Sequence, residues 1–241
     1  MATQVKSVEG IEQDALLNYL TSMASAVEGA VNKSLDALLG QKDLEAIRLA
    51  GEVFRLEPRI NEMETIIDDY AVRLLRGGSL PDEEVRLIVA ALKITNDLER
   101  MGDLAVNIAE RVTSLTNMLK FEAPSELEPI GATVRATVNK SLRALISRNV
   151  ELAGEVLRSD VVVDSRRDQL SVRLLTDMTQ DQTRVDPNMQ LVLAIRYLER
   201  IADHSTNIAE DIIFWVRGLN VRRGRGCTLA ADASRRVIEN S

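Results

Sequence analysis

Two segments of this chain repeat one another. DLERMGDLAVNIAERV at 97–112 and YLERIADHSTNIAED at 197–211 share the pattern LER-x-x-D-x-x-x-NIAE, and they lie 100 positions apart. A polar constellation that returns at this distance requires a fold built from two similar halves, each placing the same residues in the same local setting. The repeat extends further. VNKSLDALL at 31–39 matches VNKSLRALI at 138–146, LAGEVF at 49–54 matches LAGEVL at 152–157, and AVRLL at 71–75 matches SVRLL at 171–175. The offsets run 107, 103 and then 100, so the halves differ only by short length changes near the first turn and within the second helix, where turns and helix breaks absorb them.

Apolar residues recur every three or four positions through most of the chain, which predicts helices near 11–40, 43–76 and 82–119, then near 125–148, 150–180 and 188–217. Composition agrees. Hydrophobic residues make up 45 % of the chain but aromatics only 3 %, so the core must be assembled from Leu, Ile, Val, Ala and Met, which suits close helix packing. The reading is therefore all-α, with two similar halves that each carry three helices in the same order. The first spans 1–120 and the second 121–218, divided at the proline- and glutamate-bearing stretch Lys120–Pro129, and 219–241 is a tail. Arg76-Gly77-Gly78-Ser79-Leu80-Pro81-Asp82 ends one helix and starts the next. Pro58, inside a predicted helix, is expected to kink or locally break it. The tail carries Arg222, Arg223 and Arg225, then Arg235 and Arg236, among small polar residues, and reads as a flexible, solvated end.

A net charge of -7 argues against nucleic acid as the main partner, because phosphate neutralisation needs a basic surface. Cations suit an acidic chain better. A single cysteine, Cys227, excludes an intrachain disulfide, and no apolar signal segment opens the sequence, so a reducing, cytoplasmic setting is expected. No apolar run is long enough to span a bilayer, which leaves membrane association to partners or to the surface.

With about 100° per residue, Glu99, Glu110, Asp103 and Asn107 fall within about 80° on one helix face, while Met101, Leu104, Ala105, Ile108 and Val112 fall on the other. This acidic stripe should face outward or into a groove. Glu199, Asp203, Asn207 and Glu210 repeat it at identical spacing. Like charges stacked along a helix cost a few tenths of a kcal/mol per pair, with no structural return unless arginine or a cation compensates. Clustered hard oxygen donors suit divalent or trivalent ions, of which iron, Mn, Mg, Ca and Zn stay open. The eight stripe residues are thus the candidate metal ligands. Further oxygens would come from the second helix of each half, where an offset of 103 pairs Glu57 with Asp160 and Asn61 with Asp164. The competing explanation is a solvated face softened by Arg100, Arg111 and Arg200, on a helical scaffold that binds no metal.

With both motif copies and the preceding LIVAALKITN at 87–96 in place, the chain resembles the PhoU family of phosphate-signalling regulators over roughly 12–218. The family's paired acidic motif falls on Glu99 with Asp103 and on Glu199 with Asp203. The resemblance implies an all-α fold of two tandem, homologous three-helix bundles packed side by side, with metal ions or small metal clusters at the two motifs, and frequent dimers. It also implies a negative regulator that links a phosphate ABC transporter's ATPase to a membrane sensor histidine kinase. Two departures stand out. The family usually has His after the motif's Asp, which is His204 in the second copy but Leu104 in the first, and Asn61 stands where the second helix commonly has Asp. His204 lies at the edge of the apolar face and reads as a packing residue.

An enzyme is disfavoured. Di-iron carboxylate oxidases need Glu-x-x-His on two helices, and this chain has one histidine with Ile201 three positions before it. There is no Walker-type phosphate loop, nucleophile elbow or Cys/His zinc set either.

Overall fold

The computed structural model describes residues 8–40, 44–78, 80–118, 123–159 and 161–221, and the side chains of these except 8–11 and 159–166. The helices are α1 (Val8–Leu39), α2 (Leu44–Arg76), α3 (Asp82–Thr116), α4 (Leu127–Ser147), α5 (Val150–Ser159), α6 (Val161–Gln180) and α7 (Val185–Arg217). A single turn of 3-10 helix, Gln182–Arg184, precedes α7. Among the described residues no strand occurs. The tail from 222 onward, Cys227 included, and Asp160 lie outside the described residues, as does the side chain of Asp164.

Helices α1, α2 and α3 form one bundle; α4, α5 with α6, and α7 form the other. The bundles meet along α1 and α3 on one side and α4 and α7 on the other, so these four helices make the centre while α2 and α5–α6 lie outside it. One continuous apolar core runs through both, built from residues such as Leu16, Met23, Ile60, Ile67, Leu98, Met101, Leu142 and Leu198. The sparse aromatic content is no handicap, because small side chains let helices approach. A Cβ at Gly102 of α3 would meet Ile60 Cδ1 of α2 at 3.2 Å, and one at Gly131 of α4 would meet Leu39 Cδ1 of α1 at 3.0 Å.

The repeat identified in the sequence is repeated in detail. Ser34 and Ser141, both fully buried, each donate their hydroxyl to the carbonyl three residues earlier, at 2.9 Å. Lys33 pairs with Glu52 at 3.1 Å in the first half, and its counterpart Lys140 pairs with Glu155 at 2.8 Å in the second. The VNKS and LAGEV motifs are therefore the two ends of one ion pair between the first and second helix of each bundle. In AVRLL and SVRLL the arginine does similar work, Arg73 reaching Glu12 at 3.4 Å and Arg173 reaching Glu126. The break expected at Pro58 does not occur: α2 is helical throughout Leu44–Arg76. Pro58 sits on the exposed face, where water can serve the carbonyl that the missing N–H leaves unpaired.

Candidate functional site

Helices α3 and α7 run antiparallel through the middle of the molecule and bring the duplicated motifs together. Arg86 near the start of α3 donates to the Trp215 carbonyl near the end of α7, at 3.5 Å, while Arg111 near the end of α3 donates to Gln190 near the start of α7, at 3.1 Å. Between them the seam is polar. Lys93 Nζ lies 3.5 Å from Asp211 Oδ1. His204 Nδ1 lies 2.7 Å from Asp97 Oδ1, and Asn207 donates to the same oxygen at 3.2 Å. His204 is thus a packing and anchoring residue, as its place beside the apolar face implies. Its partner is on the other half of the chain, and no reading of one helix at a time supplies it.

The candidate ligands divide into two groups. In the first half the side chain of Glu99 is largely buried and that of Asp103 partly exposed, with Arg100 3.3 Å from Glu99 and 3.6 Å from Asp103. The helix-wheel stripe continues through Asn107, partly buried, to Glu110, which is exposed and 3.0 Å from Arg111. In the second half, Glu199 is held by Arg167 of α6, which also reaches Asp168 at 3.0 Å. Asp203 is exposed. Asn207 is committed to Asp97 across the seam, and Glu210 is 5 % exposed, so the outward face expected of the second stripe ends at Asp203. The spacing is shared by both copies, but α7 buries the part of its turn that α3 leaves in solvent at Glu110.

Of the second-helix candidates, the side chains of Glu57 and Asn61 are described. Asn61 Nδ2 donates to Glu57 Oε1 at 2.9 Å, one turn back along α2, so these two serve each other. The α2 carboxylate that acts on the motif is Glu64, and Asp68 one turn further acts on Glu64. Burial, then the charges of Asp103 and Glu64, raise the proton affinity of Glu99 above the ordinary glutamate value, with Arg100 offsetting part of the rise. Glu64 is raised by burial and by Asp68 and Asp103, again against Arg100, and Asp68 is raised by burial and by Asp69. AVRLL and SVRLL held the signal that would have found them. Their offset is 100, and carrying it back one turn and then two from Val72 and Val172 pairs Asp68 with Asp168 and Glu64 with Asp164. The offset of 103 applies only to the front of the helix.

Among the described residues no three of His, Cys, Asp and Glu gather closely enough to enclose an ion. What the first half offers is a set of carboxylates on α2 and α3, Glu64, Glu99 and Asp103, answered by Arg100. They are hard oxygen donors, but they are not drawn together into a shell for an ion. The second half offers less, because Arg167 already supplies the compensating charge.

The chain matches the PhoU domain family twice, over residues 20–112 and 127–212. It is 34 % identical over 214 residues to the phosphate-specific transport system accessory protein PhoU homolog of Pseudomonas aeruginosa, covering 88 % of this chain and 86 % of that one. With the homolog of the same name from Clostridium acetobutylicum it is 30 % identical over 209 residues, covering 86 % and 94 %. The crystal structure of PhoU from Pseudomonas aeruginosa superposes with a TM-score of 0.81 at 33 % identity, covering 87 % of this chain and 99 % of that one. The phosphate transport system regulatory protein PhoU from Streptococcus pneumoniae superposes with a TM-score of 0.76 at 25 % identity, covering 88 % and 99 %.

Proposed function

The chain belongs to the PhoU family, and from that membership we propose that it is a non-enzymatic, metal-binding adaptor that holds phosphate uptake and the phosphate-starvation response in check. It does so by linking the ATPase of a phosphate ABC transporter to a sensor histidine kinase on the cytoplasmic face of the membrane. The observation that supports this reading best is that both halves match the family separately, over nearly the full length of relatives named as accessory proteins of phosphate-specific transport. Among the described residues no helix is long and apolar enough to cross a membrane, so contact with a membrane complex passes through the partners. The acidic face of α3 supplies the metal-binding part. Glu99 and Asp103, with Glu64 beside them on α2, would offer the ion its first oxygen donors, and its charge would offset their mutual repulsion.

The test is genetic. In a bacterium whose own family member is deleted, a phosphate-starvation reporter runs high in phosphate-rich medium, and expression of this chain is expected to bring it down. A reporter that stays high, with the chain present at normal levels and folded, contradicts the proposal. Metal analysis of the purified chain beside a Glu99→Ala, Asp103→Ala variant tests the acidic face separately.

A further inference from the structure

Part of the exposed apolar surface follows the repeat. Val72, Leu75 and Val85 in the first half and Val172, Leu175 and Val185 in the second stand at the offset of 100, and all six are between 37 % and 65 % exposed. Single exposed apolar side chains are ordinary, but a group present at the same three places in both halves marks a contact face.

In the first half the group gathers where α2 ends and α3 begins. Leu75 lies within about 20° of Glu64 around α2, on the side whose charge acts on Glu99 of α3, and Val72 lies within about 80°. With Glu99 as zero around α3, α2 is met at Gly102, about 300°, and α7 at Arg86 and Asp97, about 140° to 160°. Val85, at about 40°, therefore sits on the outward side of α3 between those two neighbours.

The flanking charge is not duplicated. Beside the first group stand Asp69, Asp82, Glu83 and Glu84, whereas the matched positions in the second half are Gln169, Gln182, Thr183 and Arg184. Acidic residues in a first turn suit the dipole of α3, and they also give this apolar group a negative rim that its copy lacks. Such a face fits a segment that is both basic and apolar.

The chain carries one past Val221. Residues 222–241 hold five arginines against Asp232 and Glu239, and Arg235 and Arg236 run straight into Val237 and Ile238. The segment is rooted at the same end of the molecule. A Cβ on Gly218 would lie 3.7 Å from Cδ of Arg86, the neighbour of Val85, and Val221 is partly buried against the core. Val237 is sixteen positions past Val221, a reach of up to about 50 Å when extended, and the end of α2 is joined to the start of α3 by residues 77–81 alone. The family match stops at 212, so this segment lies beyond the matched domain.

We propose that the segment after Val221 docks back on its own chain, with Val237 and Ile238 covering Val72, Leu75 and Val85 while the arginines meet the acidic rim. A tether of this length holds the segment at an effective concentration of about a millimolar, which favours its own patch over that of a second copy. Nothing in this docking depends on a bound metal. A partner using the first patch would have to displace the segment.

Paramagnetic broadening of leucine and valine methyl signals in the full chain tests this. The nitroxide is carried by Asn240→Cys in a Cys227→Ser background, and the reference is the same protein with Arg235→Glu, Arg236→Glu, Val237→Ser and Ile238→Ser. The signals of Val72, Leu75 and Val85 are expected to lose about twofold more intensity than in the reference, with those of Val172, Leu175 and Val185 equal in the two proteins. Helicity by circular dichroism is expected to be the same in both, since every substitution lies past α7. Equal broadening in both proteins, or broadening at the second patch instead, overturns the proposal. So does broadening that persists when nitroxide and methyl labels are carried by different copies, which would put the segment on a second chain.

Discussion

The two halves of this molecule agree where they hold the helices together and disagree where they handle charge. The lysine–glutamate pair between first and second helix, the buried serine that caps its own turn, and the arginine near the end of the second helix occur in both. On the acidic faces, by contrast, α2 has Ile67 where α6 has Arg167. A duplicated motif therefore fixes the scaffold of both faces but not their balance of charge. Glu199 is answered by a guanidinium from the neighbouring helix, whereas Glu99 stands beside Asp103 and Glu64 with Arg100 as its counter-charge.

The largest expected effect comes from forcing the halves to be alike. His204→Leu gives the second half the residue of the first and removes the 2.7 Å partner of the buried Asp97 carboxylate, which keeps Asn207, at a cost of about 2 kcal/mol in urea unfolding. Loss of a single transition in favour of two would show that the bundles fold separately. Next is Gly102→Val, expected to cost about 1.5 kcal/mol because a branched side chain must displace Ile60 by more than the helix preference gained over glycine returns, with Ile60→Ala restoring part of it. Ala202, at the matching place in α7, already carries a Cβ, so the penalty belongs to the first half alone.

Third, the same substitution should act with opposite signs on the two faces. Glu199→Gln removes the partner of Arg167 and destabilises by about 1 kcal/mol. Glu99→Gln should stabilise the metal-free protein at pH 7 by about 0.3 kcal/mol. The direction follows from its raised proton affinity: folding favours the protonated acid, so that stability is present at low pH and lost as pH rises through the folded-state pKa. A permanently neutral glutamine avoids the loss, and its advantage vanishes in acid. Thermal melts of both variants across pH decide the matter, and equal signs would erase the difference drawn between the halves. The smallest effect is expected from Glu52→Gln and Glu155→Gln, the one partly exposed and the other exposed, which pair with Lys33 and Lys140. Both glutamates are held below the ordinary value chiefly by the hydrogen bond to that lysine, so their support is present at neutral pH and fades in acid, to a similar small extent in each half.

Much of the fold was legible because helix periodicity and the internal repeat are local properties. LAGEV, VNKS and the LER motifs located the helices, their order and their duplication. The candidate site was legible only in part. The wheel placed Glu99 and Asp103 together correctly, since both lie on one helix. It missed Glu64 and Asp68, because choosing the facing residues of a second helix needs the register between helices, and a length change within α2 shifts that register between 57 and 71. The burial of Glu210 and the engagement of Asn207 depend on how α7 docks against α3, which no single-helix pattern contains.

The seam between α3 and α7 also bears on what each half could become alone. In an antiparallel pair of identical helices, position 97 would meet position 104. A first half paired with its own copy would set Asp97 against Leu104, and a second half paired with its copy would set Tyr197 against His204. Asn107 would stand in for Asn207, so the histidine is what the mixed arrangement alone brings to Asp97. This side chain makes the opposite half the preferred mate, so exchange of halves between chains would still yield matched seams whereas like-with-like pairing would set a buried carboxylate against leucine.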